Sequence, residues 1–163
     1  MINSLTPDLI EYFVEDIIFS AIAAIGFGSI SNVPTTAFKG NAMLGAIGHL
    51  TRDILIKVFG MHIAFSSFFG ALIIGFIAPK LGRRWRIPAS VLAYPALLPM
   101  IPGMYAYNTV VGLMNILDAR KNEELFHHAF YTFAHSGIVC LVVILMLVIG
   151  VLVPIHTDYK YHK

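Results

Sequence analysis

The chain has 163 residues, of which 58% are hydrophobic and 12% are charged, and its mean hydropathy is +0.78. Soluble domains carry about 25% charged residues, so this composition excludes an ordinary soluble domain and predicts an integral membrane protein with the lipid bilayer as a partner. The formal net charge is +2, and four bases gather in one short loop at Lys80, Arg83, Arg84 and Arg86. That clustering follows the positive-inside rule and argues against nucleic acid as a partner.

The lengths of the apolar stretches predict an all-α fold. A helix needs about 20 apolar residues to cross a hydrocarbon core of about 30 Å, so we expect a polytopic transmembrane helix bundle with about five membrane segments. Residues 1–163 are predicted to form a single integral membrane domain. The predicted segments are approximately residues 9–31, 34–59, 61–81, 87–117 with a break, and 126–153.

The first predicted segment carries the acids Glu15 and Asp16 near its start. Either carboxylate could relay protons if it lay deep in the membrane. We favour an interfacial position, where the positive end of the helix dipole compensates the negative charge. The chain then turns at Asn32 and Pro34, and Pro34 is suited to the first position of the next helix.

The second predicted helix is unusually polar for a membrane segment. Its residues His49, Arg52 and Asp53 fall at i, i+3 and i+4, so they share one helix face. Ionisable groups inside a membrane are costly and usually functional. One hypothesis is that Arg52 binds a substrate carboxylate while His49 or Asp53 exchanges protons. The alternative is an ion pair between Arg52 and Asp53 at the membrane rim, with His49 hydrogen-bonded inside the bundle.

The fourth predicted segment is interrupted by the run PALLPMIPG, from Pro95 to Gly103. Pro95, Pro99 and Pro102 lack N–H groups, so the carbonyl four residues before each proline loses its helical donor. Broken backbone at membrane depth is found where it is buried in protein or lines a cavity, and discontinuous helices form the substrate sites of many carriers. The segment either crosses the bilayer or re-enters on one face, and a proline kink that only shapes packing is the alternative to a functional break.

The start of the second half-helix is a candidate anion site. The N–H groups of Gly103, Met104 and Tyr105 open this half-helix and could bind a carboxylate, and Gly103 would let the ligand approach the backbone. Asn108 could line the same cavity or form a hydrogen bond to another helix. With Arg52, these four residues are the predicted substrate-binding set.

The sequence predicts neither a cofactor nor a metal site. His127 and His128 are adjacent and so point to different sides of a helix, and no zinc-binding spacing accompanies them or His135. No phosphate-binding glycine loop or nucleophile elbow is present in the sequence. We therefore do not expect an enzyme.

Two stretches of the sequence resemble the threonine/serine exporter family. They are NVPTTAFKGNAMLGAIGHLTRD, which begins at Asn32, and PALLPMIPGMYAY, which begins at Pro95. The resemblance rests on an Asn-x-Pro turn, a Gly-Ala-x-Gly-His run with an arginine following, and a Pro-x-x-x-Pro-x-x-Pro-Gly break. The matching positions are Asn32, Pro34, Gly45, Gly48, His49, Arg52, Pro95, Pro99, Pro102 and Gly103. The chain is most similar to the small subunit of the split, two-component branch, in which the pair of subunits has been linked to succinate export.

This resemblance implies secondary, ion-coupled efflux of a small amino acid or dicarboxylate. We expect one subunit of a proton-coupled exporter for threonine and serine or for a succinate-like dicarboxylate, multi-pass in a bacterial inner membrane. The expected partner is a larger membrane subunit of the same family, a homo-oligomer, or both. The alternative is a structural or assembly subunit whose partner holds the whole solute path, and a homo-oligomeric channel is a third hypothesis.

Overall fold

The computed structural model describes residues 7–119 and 122–161, and within these ranges it contains six α-helices, two 3₁₀ turns and no strand. The 3₁₀ turns are Thr35–Ala37 and Leu98–Met100. The helices are α1 (Pro7–Ile30), α2 (Phe38–Lys57), α3 (Ile63–Trp85), α4 (Ala89–Leu97), α5 (Gly103–Asp118) and α6 (Glu123–Tyr161). The predicted all-α fold is confirmed.

Within the part of the chain that the structure describes, three helices are long and apolar enough to cross a membrane. They are α1 over Leu9–Ile30, α3, and α6 over Glu123–Asp158, and the interrupted pair α4 and α5 is a fourth span if it is counted as one. Helix α2 forms within the predicted residues 34–59, but its charged residues keep it outside this class: Lys39, Arg52, Asp53 and Lys57. The structure therefore supports three or four spans, where the sequence predicts about five segments.

Asn32 ends α1 in a left-handed conformation, with φ of 54°. Its N–H donates to the carbonyl of Ser29 at 3.1 Å, and the N–H of Val33 donates to the carbonyl of Gly28 at 3.0 Å. This pair of bonds is a Schellman motif, in which asparagine is one of the few residues that tolerate the left-handed position. The asparagine of the predicted turn thus has a local structural role.

Pro34 does not occupy the first position of α2. It has φ of −54° and precedes the 3₁₀ turn Thr35–Ala37. The N–H of Ala37 donates to the carbonyl of Pro34 at 2.8 Å, which closes this tighter turn before the α-helix begins. The fixed φ of proline suits either kind of helical start.

The described residues form two compact units. The first unit contains the residues up to Met100 and those from Met146 onward, so it includes α1 to α4 and the last part of α6. The second unit, Ile101–Leu145, includes α5 and the first part of α6. The predicted site residues are divided between these units, and the single membrane domain over residues 1–163 stays a prediction.

Small residues let the helices of the first unit approach each other closely. A Cβ atom added at Gly45 of α2 would lie 2.7 Å from the Cβ of Ala24 on α1. A Cβ atom added at Gly70 of α3 would lie 2.7 Å from the carbonyl oxygen of Gly48 on α2. Such small-residue contacts are typical of membrane helices. They hold α1 and α3 against α2, where the ionisable residues lie.

Helix α6 packs onto α3 within the first unit in the same way. A Cβ atom at Gly150 would lie 2.6 Å from the carbonyl oxygen of Phe68, and one at Gly75 would lie 2.8 Å from that of Val151. Near the end of α3, the guanidinium of Arg83 donates to the carboxylate of Asp158 on α6. The two helices are therefore joined by backbone contact and by an ion pair.

In the second unit, α5 packs against the first part of α6. A Cβ atom at Gly112 would lie 2.7 Å from the backbone nitrogen of Phe133. The ring of His135 stacks on that of Tyr131, with 5.6 Å between the ring centroids. One of the three histidines considered as metal ligands thus has an aromatic packing partner.

Candidate functional site

Ionisable side chains from α1 and α2 meet in one group, which we call the charged cluster: the exposed Tyr12 and the more buried Asp16, His49, Arg52 and Asp53. The exposed fractions are 12% for His49 and Arg52, 14% for Asp16 and 6% for Asp53. The face predicted from the i, i+3, i+4 spacing is therefore the face of α2 that turns towards α1. The structure brings the three α2 residues together and adds two partners from α1.

His49 is held between an acid and a base. Its Nδ1 lies 2.7 Å from Oδ2 of Asp16, and its Nε2 lies 2.8 Å from Nη2 of Arg52. A guanidinium can only donate hydrogen bonds, so Nε2 must accept from Arg52, and Nδ1 carries the proton donated to Asp16. In this arrangement the imidazole of His49 is neutral, and its tautomer is fixed by its two partners.

Arg52 connects the charged cluster to the broken helix. Its Nη1 donates to the backbone carbonyl of Met100 at 3.0 Å. Met100 is the last residue of the 3₁₀ turn that follows α4, so the bound carbonyl belongs to the negative end of the first half-helix. The bond from Arg52 Nε to Asp53 Oδ1 is longer, 3.4 Å. The ion pair of the alternative hypothesis is therefore present, together with the bonds from Arg52 to His49 and Met100.

Asp53 has its closest partner on α1. The hydroxyl of Tyr12 donates to Oδ2 of Asp53 at 2.7 Å, and the ammonium of Lys57 lies 4.5 Å from the centroid of the Tyr12 ring. A cation over an aromatic face is attracted to the ring electrons. With Lys57 counted beside Tyr12, the group contains two carboxylates and two basic side chains, so its formal charges balance while His49 is neutral.

Three groups of the charged cluster have the composition of a cation site. One ligand atom each from Asp16, His49 and Asp53 lies within 4.8 Å of the other two. Arg52 bonds to two of these residues and already supplies the positive charge. The donor set therefore fits an arginine-neutralised network better than a metal centre, and the absence of a metal stays a prediction.

The break lies within the predicted run. Helix α4 ends at Leu97, the 3₁₀ turn ends at Met100, and α5 begins at Gly103. Pro95 leaves the carbonyl of Val91 without a helical donor. The buried side chain of Asn41 supplies the missing donor. When its amide nitrogen is oriented towards the two carbonyls, the nitrogen lies 3.3 Å from the oxygen of Val91 and 3.1 Å from the oxygen of Ala37.

The start of α5 offers fewer free donors than the sequence predicts. The N–H of Gly103 donates to the carbonyl of Ile101 at 2.9 Å, and that of Tyr105 donates to the carbonyl of Pro102 at 3.1 Å. Within residues 7–119 and 122–161, the N–H of Met104 has no backbone acceptor. Two of the three predicted N–H groups are thus already bonded, because a tight turn precedes the helix.

The other predicted substrate-binding residues at the start of α5 are at least partly accessible. Gly103 is exposed, and a Cβ atom placed on it would meet no atom within 4 Å. Met104 is 70% exposed, and Asn108 is half-buried. These residues belong to the second unit, whereas Arg52 belongs to the first. Their sharing of one substrate site stays a prediction.

The sequence analysis favoured an interfacial position for Asp16 and assigned no role to Tyr12 or Asn41. The sequence did contain a signal for Tyr12 and Asp16. They begin a series of residues at every fourth position of α1, and its next members, Ser20, Ala24 and Gly28, are small and buried. This spacing marks one helix face. The role of Asn41 had no comparable signal, since its partner Val91 lies far along the chain.

Two cavities of about 380 Å³ lie away from the charged cluster. The one in the second unit is apolar and is lined by residues of α5 and α6 that include Thr109 and Cys140. The one in the first unit lies at the basic end of α3, beside Arg83 and Arg86. Neither cavity is lined by a residue of the charged cluster.

Several apolar helices long enough to cross a membrane, with a group of ionisable side chains between α1 and α2, define a multi-pass membrane protein. Residues 16–156 match the family described as Threonine/Serine exporter, ThrE, and the chain belongs to this family.

One relative is an uncharacterized protein of Haemophilus influenzae, 34% identical over 124 residues. The match covers 76% of this chain and 41% of the relative, so the chain spans about two-fifths of that protein's length. No solved structure matches the chain.

Proposed function

We propose that this chain is one subunit of a proton-coupled exporter for a small solute that bears a carboxylate. The observation that carries the proposal is the position of Arg52, which is bonded to the Met100 carbonyl at the broken helix and to the neutral His49. A guanidinium suits bidentate binding of a carboxylate. The pair of His49 and Asp16 beside it can accept and hold a proton. Carboxylate binding and proton exchange would then occur next to the break.

We propose that the partner is a larger membrane subunit of the same family. In such a two-component exporter, a separate subunit would supply the regions of the relative that lie outside the match, which covers 41% of that protein. The alternative arrangement is a homo-oligomer of this chain, and in either arrangement we propose a bacterial inner membrane as the location.

A structural function is the second candidate. Nε, Nη1 and Nη2 of Arg52 each have an acceptor within the first unit, and the side chain is 12% exposed. A closed network of this kind could serve to join α1, α2 and the break, while a partner subunit holds the whole solute path. Cluster variants would then change the yield of the assembled protein and leave transport per molecule unchanged.

Transport in proteoliposomes tests these functions. The chain is reconstituted alone or with its candidate larger subunit, and fluxes of labelled threonine, serine and succinate are measured with and without a proton gradient. Gradient-dependent flux only with both subunits supports the proposal and identifies the solute as an amino acid or a dicarboxylate. Flux from this chain alone indicates a self-sufficient oligomer, and flux that ignores the proton gradient contradicts proton coupling.

A further inference from the structure

Arg52 bonds at the same time to a titratable ring and to the broken backbone. Nη2 lies 2.8 Å from His49 Nε2, and Nη1 lies 3.0 Å from the carbonyl oxygen of Met100. The first bond exists only while His49 Nε2 has a free lone pair, because the guanidinium has no acceptor of its own. The protonation state of His49 therefore controls one of the two bonds that hold the Arg52 side chain in place.

We infer that protonation of His49 releases Arg52 from Met100, so that the charged cluster works as a proton-sensitive latch on the broken helix. A proton from water adds to the lone pair of Nε2, and no covalent bond breaks. The two facing groups are then both donors and both positive, so their hydrogen bond is lost and they repel each other. Arg52 has to move, and the Met100 carbonyl loses the donor that neutralised the end of the first half-helix.

Asp16 is the positioning residue of this latch. It accepts the Nδ1 proton of His49 at 2.7 Å, and its carboxylate stabilises the imidazolium that forms. Among the described residues, the other ionisable groups linked to His49 through this network are Arg52 and Asp53 on α2 and Tyr12 on α1, and Lys57 lies over the Tyr12 ring. The 3₁₀ turn contributes only a backbone carbonyl, and among the described residues α3 and α4 add no charged side chain to the hydrogen-bonded network.

The direction of the effect follows from the charge balance. With His49 neutral, Asp16 and Asp53 are balanced by Arg52 and Lys57. A proton on His49 adds a third positive charge directly against Arg52, while Asp16 keeps the imidazolium in place. Acidification therefore favours the released state of Arg52. The interpretation of this release as a step in proton-coupled transport rests on the proposed exporter function.

The test is the accessibility of the break as a function of pH. The only cysteine is replaced by Cys140→Ser, and Met100→Cys places a buried thiol at the break while the backbone carbonyl is kept. Labelling by a water-soluble thiol reagent is measured in proteoliposomes from pH 8 to pH 5.5, in otherwise native chain and with His49→Gln. Gln can accept from Arg52 and donate to Asp16 as the neutral ring does, so it mimics a latch that stays closed, and the ratio of the two rates cancels the intrinsic pH dependence of the thiol.

We expect this ratio to rise at least about fivefold on acidification, within the range where histidine gains its proton. Asp16→Asn should move the rise to lower pH, and Glu15→Gln, an exposed neighbouring carboxylate, should not. A ratio that stays constant with pH overturns the inference. If Met100→Cys does not fold, hydrogen exchange of the break peptide replaces thiol labelling. Exchange rates are measured in the unmodified protein and in His49→Gln and are corrected for intrinsic exchange. We expect the ratio of these two rates to rise on acidification in the same way.

Solute flux in the same vesicles separates the two proposals. If transport is proton-driven but the accessibility of the break does not depend on pH, the proposed exporter function is supported and the latch is overturned. A pH-dependent break without transport of any offered carboxylate supports the latch and contradicts the proposed function.

Discussion

Replacement of Arg52 by Gln separates a substrate-binding arginine from a structural one. The change removes the guanidinium fork, and with it two charge-assisted hydrogen bonds to a bound carboxylate, each contributing about 1.5–3 kcal/mol. A loss of at least about 3 kcal/mol corresponds to a reduction of about 100-fold in transport rate at low solute concentration, because about 1.4 kcal/mol changes a rate tenfold. The single change also leaves Asp16 and Asp53 with one cation fewer, so the double variant Arg52→Gln with Asp53→Asn keeps the net charge of the cluster constant.

The assay is the initial rate of labelled-solute exchange in proteoliposomes that contain both subunits, normalised to the amount of reconstituted protein. Arg84→Gln, at an exposed arginine near the end of α3, is the matched control. We expect the double variant to regain protein yield relative to Arg52→Gln and to remain at least about 100-fold slower than the native protein. A double variant that transports within about threefold of the native rate would refute the carboxylate-binding role of Arg52.

Three further substitutions test the packing and the break. Asn41→Ala should lower the stability of the detergent-solubilised protein by about 1–3 kcal/mol in thermal unfolding, because the Val91 carbonyl is left without a donor. The control Asn115→Ala, on the exposed part of α5, should not change the stability, and equal stability losses in the two variants would contradict the role of the buried amide. Gly45→Ala should destabilise the contact with α1 by about 1–3 kcal/mol in the same measurement, whereas Gly26→Ala, where a Cβ meets nothing within 4 Å, should be neutral. Gly103→Ala should fold normally, since its Cβ also meets nothing within 4 Å, and should still slow transport if the solute approaches this backbone; native transport by this variant would remove Gly103 from the substrate site.

Local rules predicted the features that depend on neighbouring residues in the chain. The i, i+3, i+4 spacing placed His49, Arg52 and Asp53 on one face because helical periodicity alone decides that. The proline run placed the break, and α4 indeed ends at Leu97 before α5 begins at Gly103. Proline acts on the carbonyl of its own helix, so no tertiary information was needed.

Features that depend on which helix faces meet were harder to predict. The dipole argument considers one helix at a time, so it did not predict that a histidine of α2 reaches the carboxylate of Asp16. The N–H groups at the start of α5 looked available because the turn at Ile101 and Pro102, which uses two of them, has no clear sequence signature. Both differences arise from backbone or helix placement that a single segment does not specify.

The great length of α6 restricts how this protein can lie in a bilayer. Its apolar span, Glu123–Asp158, has 36 residues, or about 54 Å at about 1.5 Å per residue. Tilted by about 40°, the upper end of the usual range, it would still cover about 41 Å along the membrane normal, against a hydrocarbon thickness of about 30 Å. At least about 11 Å of this helix must therefore emerge among the lipid headgroups or into water. A polar spectroscopic label near Glu123 or Thr157 can consequently show, by its depth, which leaflet the projecting end belongs to.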